Sequence, residues 1–504
     1  MLATQTGCLS GLATASRPTT ATTISIAKVM TMPTLPLAKG LGKDYRNADY
    51  VDLLPVNMLA TPKEVLNAAG YLRSFPGVTK KADVAGTSRG VQFNKAENVV
   101  YRVAGGKLYK SAGERGEVSG NARVSMAHSA TSQAVAANGD MTLYRYDGTN
   151  KTLQNWPEKI GDVTYAQYDI GSVRDICRAR GRYVWVKNGT QTFGVTDLED
   201  ESHPDRFRPF YSAESQPDGI LGCGIWRDFV VMFGSSTIEY FSLTGAADTA
   251  SAIYVAQPSL MVQKGIAGTH CKTEFADSFA FISHQSTGAP SIYLINSGQP
   301  TTIATATVEK VLRSYTAEEL ATGVLETVRF DGHELLIVHL PRHVLCYDGA
   351  ASQNGAQWCI LKTGLFDDVH RAIDYVFEGN QVTVGDKLES VVGALQFDSS
   401  AQFDKQTEHL LFTPMFKANN ARVYDFELEA ATGVSQYAER LFISATADGS
   451  NYGREQMIGA NAPFAYDKRV LWRRLGRVRK NIGFKVRVIT RSPVALSDCS
   501  VRIE

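Results

Sequence analysis

Apolar and polar positions alternate in short paired runs along most of this chain, and the pairs recur at a spacing of about 47 residues between Glu97 and Asp398. Seven pairs can be traced: ENVVYRVAGGKLYKS (97–111), QAVAANGDMTLYRYDG (133–148), RYVWVKNGTQTFGVTD (182–197), DFVVMFGSSTIEYFSLTG (228–245), DSFAFISHQSTGAPSIYLINSG (277–298), HELLIVHLPRHVLCYDG (333–349) and NQVTVGDKLESVVGALQFD (380–398). Each joins two β-forming runs through turn residues such as Gly105-Gly106, Asn138-Gly139 or Gly385-Asp386. A lone hairpin is marginal in water, so neighbours must bury its faces, and the spacing leaves room for two more strands per unit. The pattern therefore predicts an all-β chain built on a β-propeller of about seven blades over 91–399, with a large irregular sandwich as the alternative.

The flanks have other textures. Residues 32–90 read as an irregular N-terminal arm, broken by Pro33, Pro36, Pro55, Pro62 and Pro76, that either closes the ring or reaches a neighbour. VEKVLRSYTAEELATGV (308–324) carries a capping box at Thr316 and Glu319 and predicts a helical insertion on the propeller rim. From 400 to 504 closely spaced strands such as FKVRV, with Asp448-Gly449 at a turn, predict a C-terminal β-sandwich. Residues 1–31 lack a basic start and an apolar core of signal type, and are expected to be a non-native or disordered extension before a start at Met30 or Met32.

Composition narrows the function. With 504 residues and 44% hydrophobic content the chain can bury a large core, while 52 basic and 51 acidic residues exclude a surface that grips nucleic acid as a whole. The seven scattered cysteines form no C-x-x-C pair, so neither a disulfide framework nor a zinc knuckle is expected, and no apolar run is long enough for membrane insertion.

Three clusters invite a chemical reading. TDLEDESHPDRF gathers Asp197, Glu199, Asp200, Glu201, His203 and Asp205, but lacks the alternating acids, turn glycine and distal glutamate of a calcium loop, so a solvated or partner-facing acidic loop is expected instead of a metal site. Glu239, Asp228, Asp175 and Glu214 are the carboxylates a glycan-hydrolysing propeller would pair. Glu239, however, lies in STIEYF, where alternation alone accounts for a polar residue, and no HExxH or phosphate-loop motif occurs in the sequence. No cofactor is expected. Arg469, Arg473, Arg474, Arg477 and Arg479, with Lys468 and Lys480, follow Asp467 without an intervening acid and fit a solvated strand pair or a subunit contact, or a phosphate contact. Asp200, Glu201 and Asp205 are the candidate counterpart across such an interface.

Longer stretches carry a resemblance. LPLAKGLGKDYRNADYVDLLPVNMLATPKE, GYLRSFPGV, TDLEDESHPDRF, FGSSTIEYFSLTG, VAQPSLMVQKGIAGT, VLRSYTAEELATGV, HELLIVHLPRHVL and YDKRVLWRRLGRVR closely resemble the packaged-DNA stabilisation proteins, or tail hub proteins, of short-tailed phages of enteric bacteria. The resemblance covers the chain from about Pro33 onward. It implies a non-enzymatic late virion component, assembled in the host cytoplasm and located in the viral tail. It further implies a hexameric ring below the portal adaptor, closure of the channel by the tail needle, contact with tailspikes, retention of the packaged genome, and DNA only as passing cargo. A tail-associated glycan-binding or glycan-hydrolysing propeller is the alternative.

Overall fold

In the computed structural model, residues 34–503 are described apart from 36–39, 46–47, 66–67, 69, 245–252, 297, 353–354, 367, 437–438 and 461. The extension expected over 1–31 lies outside the described residues. The chain folds as a β-propeller joined to a β-sandwich.

Seven four-stranded antiparallel sheets form the propeller blades. Every hairpin legible in the sequence supplies the two middle strands of one blade, from Val99–Ala104 with Lys107–Lys110 in blade 1 to Gln381–Asp386 with Val391–Gln396 in blade 7. The middle strands are the most buried because sheets pack on both their faces: Tyr183, Val184, Trp185 and Val186 in the third blade are all fully enclosed. Blade-to-blade packing is carried by aromatic and β-branched side chains, as where Phe233 of blade 4 meets Phe279 of blade 5 edge-on at 5.0 Å between ring centroids.

The segment 32–90, expected as an irregular arm, is distributed over the whole molecule. Gly77–Asp83 pairs antiparallel with Val391–Gln396 and becomes the outer strand of blade 7, so the first blade-forming strand closes the ring on the last. Ser88–Asn94 is the inner strand of blade 1. Met58–Thr61 and Tyr71–Ser74 leave the propeller altogether and join a sheet of the sandwich through Ala495–Ile503. With Thr34–Leu35, which pairs with the same strand, three N-terminal strands complete the first sandwich sheet and help to cover Leu496 and its neighbours. The physical reason is burial: Met58 and Leu59 are almost wholly enclosed where they stand.

One sandwich sheet runs in the order Met58–Thr61, Tyr71–Ser74, Ala495–Ile503, Ala421–Ala430, Val470–Val478, and the other in the order Thr407–Phe412, Asn481–Thr490, Glu439–Thr446, Gln456–Ala460. Phe426, Trp472 and Phe484 fill the space between them. Val56 joins the two bodies, bridging Ile360 of blade 6 on one side and Leu410 of the sandwich on the other. Helix α1 (Ala306–Arg313) and helix α2 (Ala317–Ala321) lie between blades 5 and 6, and α2 carries the expected capping box, with Thr316 and Glu319 exchanging hydrogen bonds. Among the described residues no helix is long and apolar enough to cross a membrane.

Candidate interaction surfaces and the propeller channel

The first strand of each blade lines a central channel, and four of these strands are bulged near their starts: Ser88/Gly90, Val173/Asp175, Ile220/Gly222 and Ile373/Val376. A bulge re-aims the side chain it carries. The bulge at Ile373/Val376 sets Asp374 into a buried charge network. Arg123 Nη2 stands 2.5 Å from Asp374 Oδ1 and 3.8 Å from Glu326 Oε1, tying blade 2 to blades 7 and 6. The Glu326 carboxylate accepts the backbone N–H groups of Asp374 and Tyr375, while His339 Nε2 lies 3.3 Å from it. Burial alone would raise the Glu326 pKa, but His339, Arg123 and the amide donors outweigh it and bring the group to about 2. Across the ring, Lys272 Nζ of blade 5 lies 2.9 Å from Asp175 Oδ2 of blade 3, and the same oxygen accepts the N–H of Cys223 in blade 4. These are braces. They fix six blades, in two sets of three, with charges that are paired inside the fold.

A cavity of about 640 Å³ opens beside this mouth between blades 6 and 7, lined by Val324, Leu340, Pro341, His370, Arg371 and Lys387. Burial lowers the Lys387 amine to about 8. Arg371 is held by Asp386, with Nε 3.0 Å from Oδ2, and by Glu389 at 2.8 Å.

The carboxylates considered for glycan hydrolysis are dispersed. Asp175 holds Lys272, Glu239 is buried and accepts the N–H of Ser215 at 3.1 Å, Asp228 pairs with Arg180 in the turn after its blade's first strand, and Glu214 is exposed in the connection between blades 3 and 4. Among the described residues no group of three or more His, Cys, Asp or Glu side chains is placed to hold a metal ion.

The acidic run does not form the partner-facing surface expected of it. Asp205 is 1% exposed, with Oδ2 2.5 Å from Arg182 Nη1 and Oδ1 accepting the N–H groups of Phe207 and Arg208. Asp200 takes Arg145 and Lys151 of blade 2, each at 3.1 Å, and Glu201 accepts the hydroxyls of Ser129, Thr131 and Ser132. Burial raises the Asp200 pKa, but bonds from Ser202 and the Lys151 ammonium prevail and carry it to about 2. The run is a clasp between blades 2 and 3, and sequence spacing alone could not show the arginines that answer it.

The basic run behaves otherwise. Arg469 pairs with Glu427, with Nε 2.5 Å from Oε1, but Arg473, Arg474, Arg477 and Arg479 are exposed, and none has an acid within ion-pair distance among the described residues. They lie on or just past Val470–Val478, the edge strand farthest from the propeller in its sheet, and Arg477 stands opposite Arg422 of the neighbouring strand.

The N-terminal arm and the helical insertion touch each other. Lys310 of α1 is 2.6 Å from Asp49, and Asp52 N–H donates to Thr307, so the hairpin of Gly40–Asp44 and Asp49–Leu53 braces the helical insertion. The same hairpin reaches the sandwich, where Lys43 N–H donates to Ser450.

One projecting element was not anticipated. Lys159–Ile160 and Val163–Thr164 form a two-stranded hairpin between blades 2 and 3, paired to no other sheet. Its base is stiff: Trp156 stacks on His203 at 4.1 Å and on Tyr165 at 5.2 Å, and Asn155 exchanges two hydrogen bonds with the Tyr168 backbone. Its tip is bare, with Ile160 46% and Val163 55% exposed. The signal was present as Gly161-Asp162 between two β-branched residues, but the strands are too short to register as a periodic run.

Comparison with known proteins matches residues 33–400 to the family described as bacteriophage P22 Gp10, beta-propeller, and residues 408–504 to bacteriophage P22 Gp10, beta-sandwich. The tail hub protein gp10 of Salmonella phage P22 is 68% identical over 475 residues, which is 94% of this chain and all of that protein. Among solved structures, the WD40 β-propeller domain of Doa1 aligns at 12% identity and a TM-score of 0.37, over 64% of this chain and 98% of that one. The Dos1 propeller aligns at 12% identity and a TM-score of 0.35, over 73% of this chain and 93% of that one.

Proposed function

The chain belongs to the bacteriophage P22 Gp10 family and is a structural tail hub of a phage virion, and from that premise we propose that it closes the genome's exit channel after packaging. In this reading several copies, six by the resemblance, form a ring below the portal and its adaptor. The ring receives the tail needle at its far end and meets tailspikes at its side. It holds the packaged DNA until infection and then forms part of the ejection conduit. Assembly takes place in the host cytoplasm.

The braced channel mouth supports this reading best. Arg123–Asp374–Glu326 and Lys272–Asp175 spend buried charges on holding blades together across the ring, which suits a part that must keep its shape under load. Retention by phosphate contact over the whole surface is disfavoured by the near balance of 52 basic and 51 acidic residues, so sealing by shape and by contacts between copies carries the function. No catalytic step is required.

The test is a phage made without this chain. Heads should fill with DNA and then lose it, and added purified chain should restore retention measured as nuclease-protected genome. Particles that keep their genomes equally well without it would overturn the reading, as would a purified chain that releases reducing sugar from the host's surface polysaccharide.

A further inference from the structure

The two halves of the chain carry opposite charge. Residues 400–504 hold 16 Lys and Arg against 11 Asp and Glu, leaving 36 against 40 in the remainder. The basic excess is concentrated on one edge. In the first sandwich sheet Met58–Thr61 faces the propeller and Val470–Val478 is the opposite edge, four strands or roughly 19 Å away. Arg473, Arg474 and Arg477 on that strand are exposed and without acidic partners among the described residues. The connection leading into the strand presents Phe464, 82% exposed, and Tyr466, 67% exposed.

An open edge strand is a standing invitation to another chain, and arginines on it decide which chain. The complement stands on the other side of the molecule. The Lys159–Ile160/Val163–Thr164 hairpin carries exposed Glu158 and Asp162 beside its bare Ile160 and Val163. It rises between blades 2 and 3, whereas the sandwich is seated against blades 6 and 7 through Val56, Ile360, Gly77 and Ser399. In a seven-bladed ring these positions are roughly half a turn apart.

We propose that the hairpin of one copy docks on the Val470–Val478 edge of the next, with its β-branched tip against Phe464 and Tyr466 and its carboxylates against the arginines. Because the two patches lie on opposite sides of one subunit, the contact is heterologous and passes from copy to copy until it closes. The pairing rests on the hub reading and supplies its ring with a specific joint.

The prediction is decided by swapping charge. A strand variant, Arg473→Glu with Arg474→Glu and Arg477→Glu, and a hairpin variant, Glu158→Lys with Asp162→Lys, should each self-associate about tenfold or more weakly in sedimentation, with unchanged melting temperatures. Mixed one to one, they should recover assembly, because each then offers the surface the other needs. Failure of the mixture to recover, undiminished assembly of either variant, or a wild-type chain that stays monomeric throughout overturns the pairing. If the strand variant assembles normally and instead loses double-stranded DNA binding, with a shallower salt dependence, the edge is a nucleic-acid surface and the pairing is wrong. Variants that assemble normally while the chain still restores genome retention remove the joint and leave the hub reading intact.

Discussion

Asp205 shows how a charged residue changes meaning when its partners become visible. In the chain it stands among other acids and looks like surface, yet Arg182, twenty-three positions earlier, folds over it and two backbone N–H groups complete its shell. A buried carboxylate so enclosed holds the fold together and is closed to any partner. Arg474 is the converse, exposed and with no acid within ion-pair distance among the described residues. Neither outcome was legible in the sequence, since which cation reaches which acid is settled by blade geometry, not by spacing. His409 gives a measurable case. It is 1% exposed where the sandwich meets blade 6, with Nδ1–H donating to the Asn57 carbonyl at 3.1 Å, and burial lowers its pKa to about 4 against an ordinary 6.5. The unfolded chain therefore binds the proton more tightly, so this group's contribution is whole above pH 6.5 and is lost as pH falls from 6.5 toward 4. The loss approaches about 3 kcal/mol once both forms are protonated. His409→Gln keeps an N–H donor without the titration. Thermal melts from pH 7 to pH 4 should fall less steeply for the variant than for the wild-type chain, and identical slopes would show that this histidine takes no part.

At the level of strands and helices, what could be read in advance was whatever is apolar on both faces. The middle strands of all seven blades were visible because each is a continuous run between turn residues, and the α2 cap was visible because Thr316 and Glu319 sit at the spacing a capping box requires. The outer strands were not. Asn150–Thr152 and Phe210–Ser212 are three residues long, too short to carry a period. The closing strand was hidden for a different reason, since Gly77–Asp83 finds its partner more than three hundred residues along the chain. That distance makes the strand an informative place to intervene. Val78 N–H donates to Ala401 O and Phe403 N–H donates to Val78 O, which turns the N–H of Thr79 the other way, toward Ala394. Thr79→Pro removes that donor and clashes with the ladder, at a cost of about 3 kcal/mol or more. Denaturant unfolding should show a lower midpoint. Hydrogen exchange should show the fastest new opening in blades 7 and 1, where the ring is joined, whereas uniform loss of protection around the ring would mean that closure is not the weak seam.

Across the whole molecule, propeller and sandwich are coupled through a very short stretch of chain. Val56 bridges blade 6 and the sandwich, and Asn57 beside it fastens both: its side-chain amide donates to Glu408 O at 2.9 Å and its side-chain oxygen accepts from Lys362 N–H at 2.9 Å. Asn57 also sits at φ 55°, a left-handed conformation that asparagine adopts more readily than alanine. Asn57→Ala removes both side-chain bonds across the joint and strains its backbone, together costing about 3 kcal/mol or more. Each core away from the joint, Phe426–Trp472–Phe484 in the sandwich and the blade interiors in the propeller, is untouched. The consequence is a change in cooperativity more than in the stability of either body. Calorimetry should give one transition for the wild-type chain and two for Asn57→Ala, with the sandwich melting separately and new proteolytic cleavage near residues 54–57 or 399–407. Asn57→Asp preserves the acceptor and the backbone preference but loses the donor, and should fall between the two. If the joint transmits load between the ring of propellers and whatever the sandwich edge holds, Asn57→Ala particles should assemble with normal numbers of hub subunits yet leak DNA on heating at a lower temperature than wild-type particles. Parallel heat-release curves for the two would show that the sandwich and the propeller bear load independently.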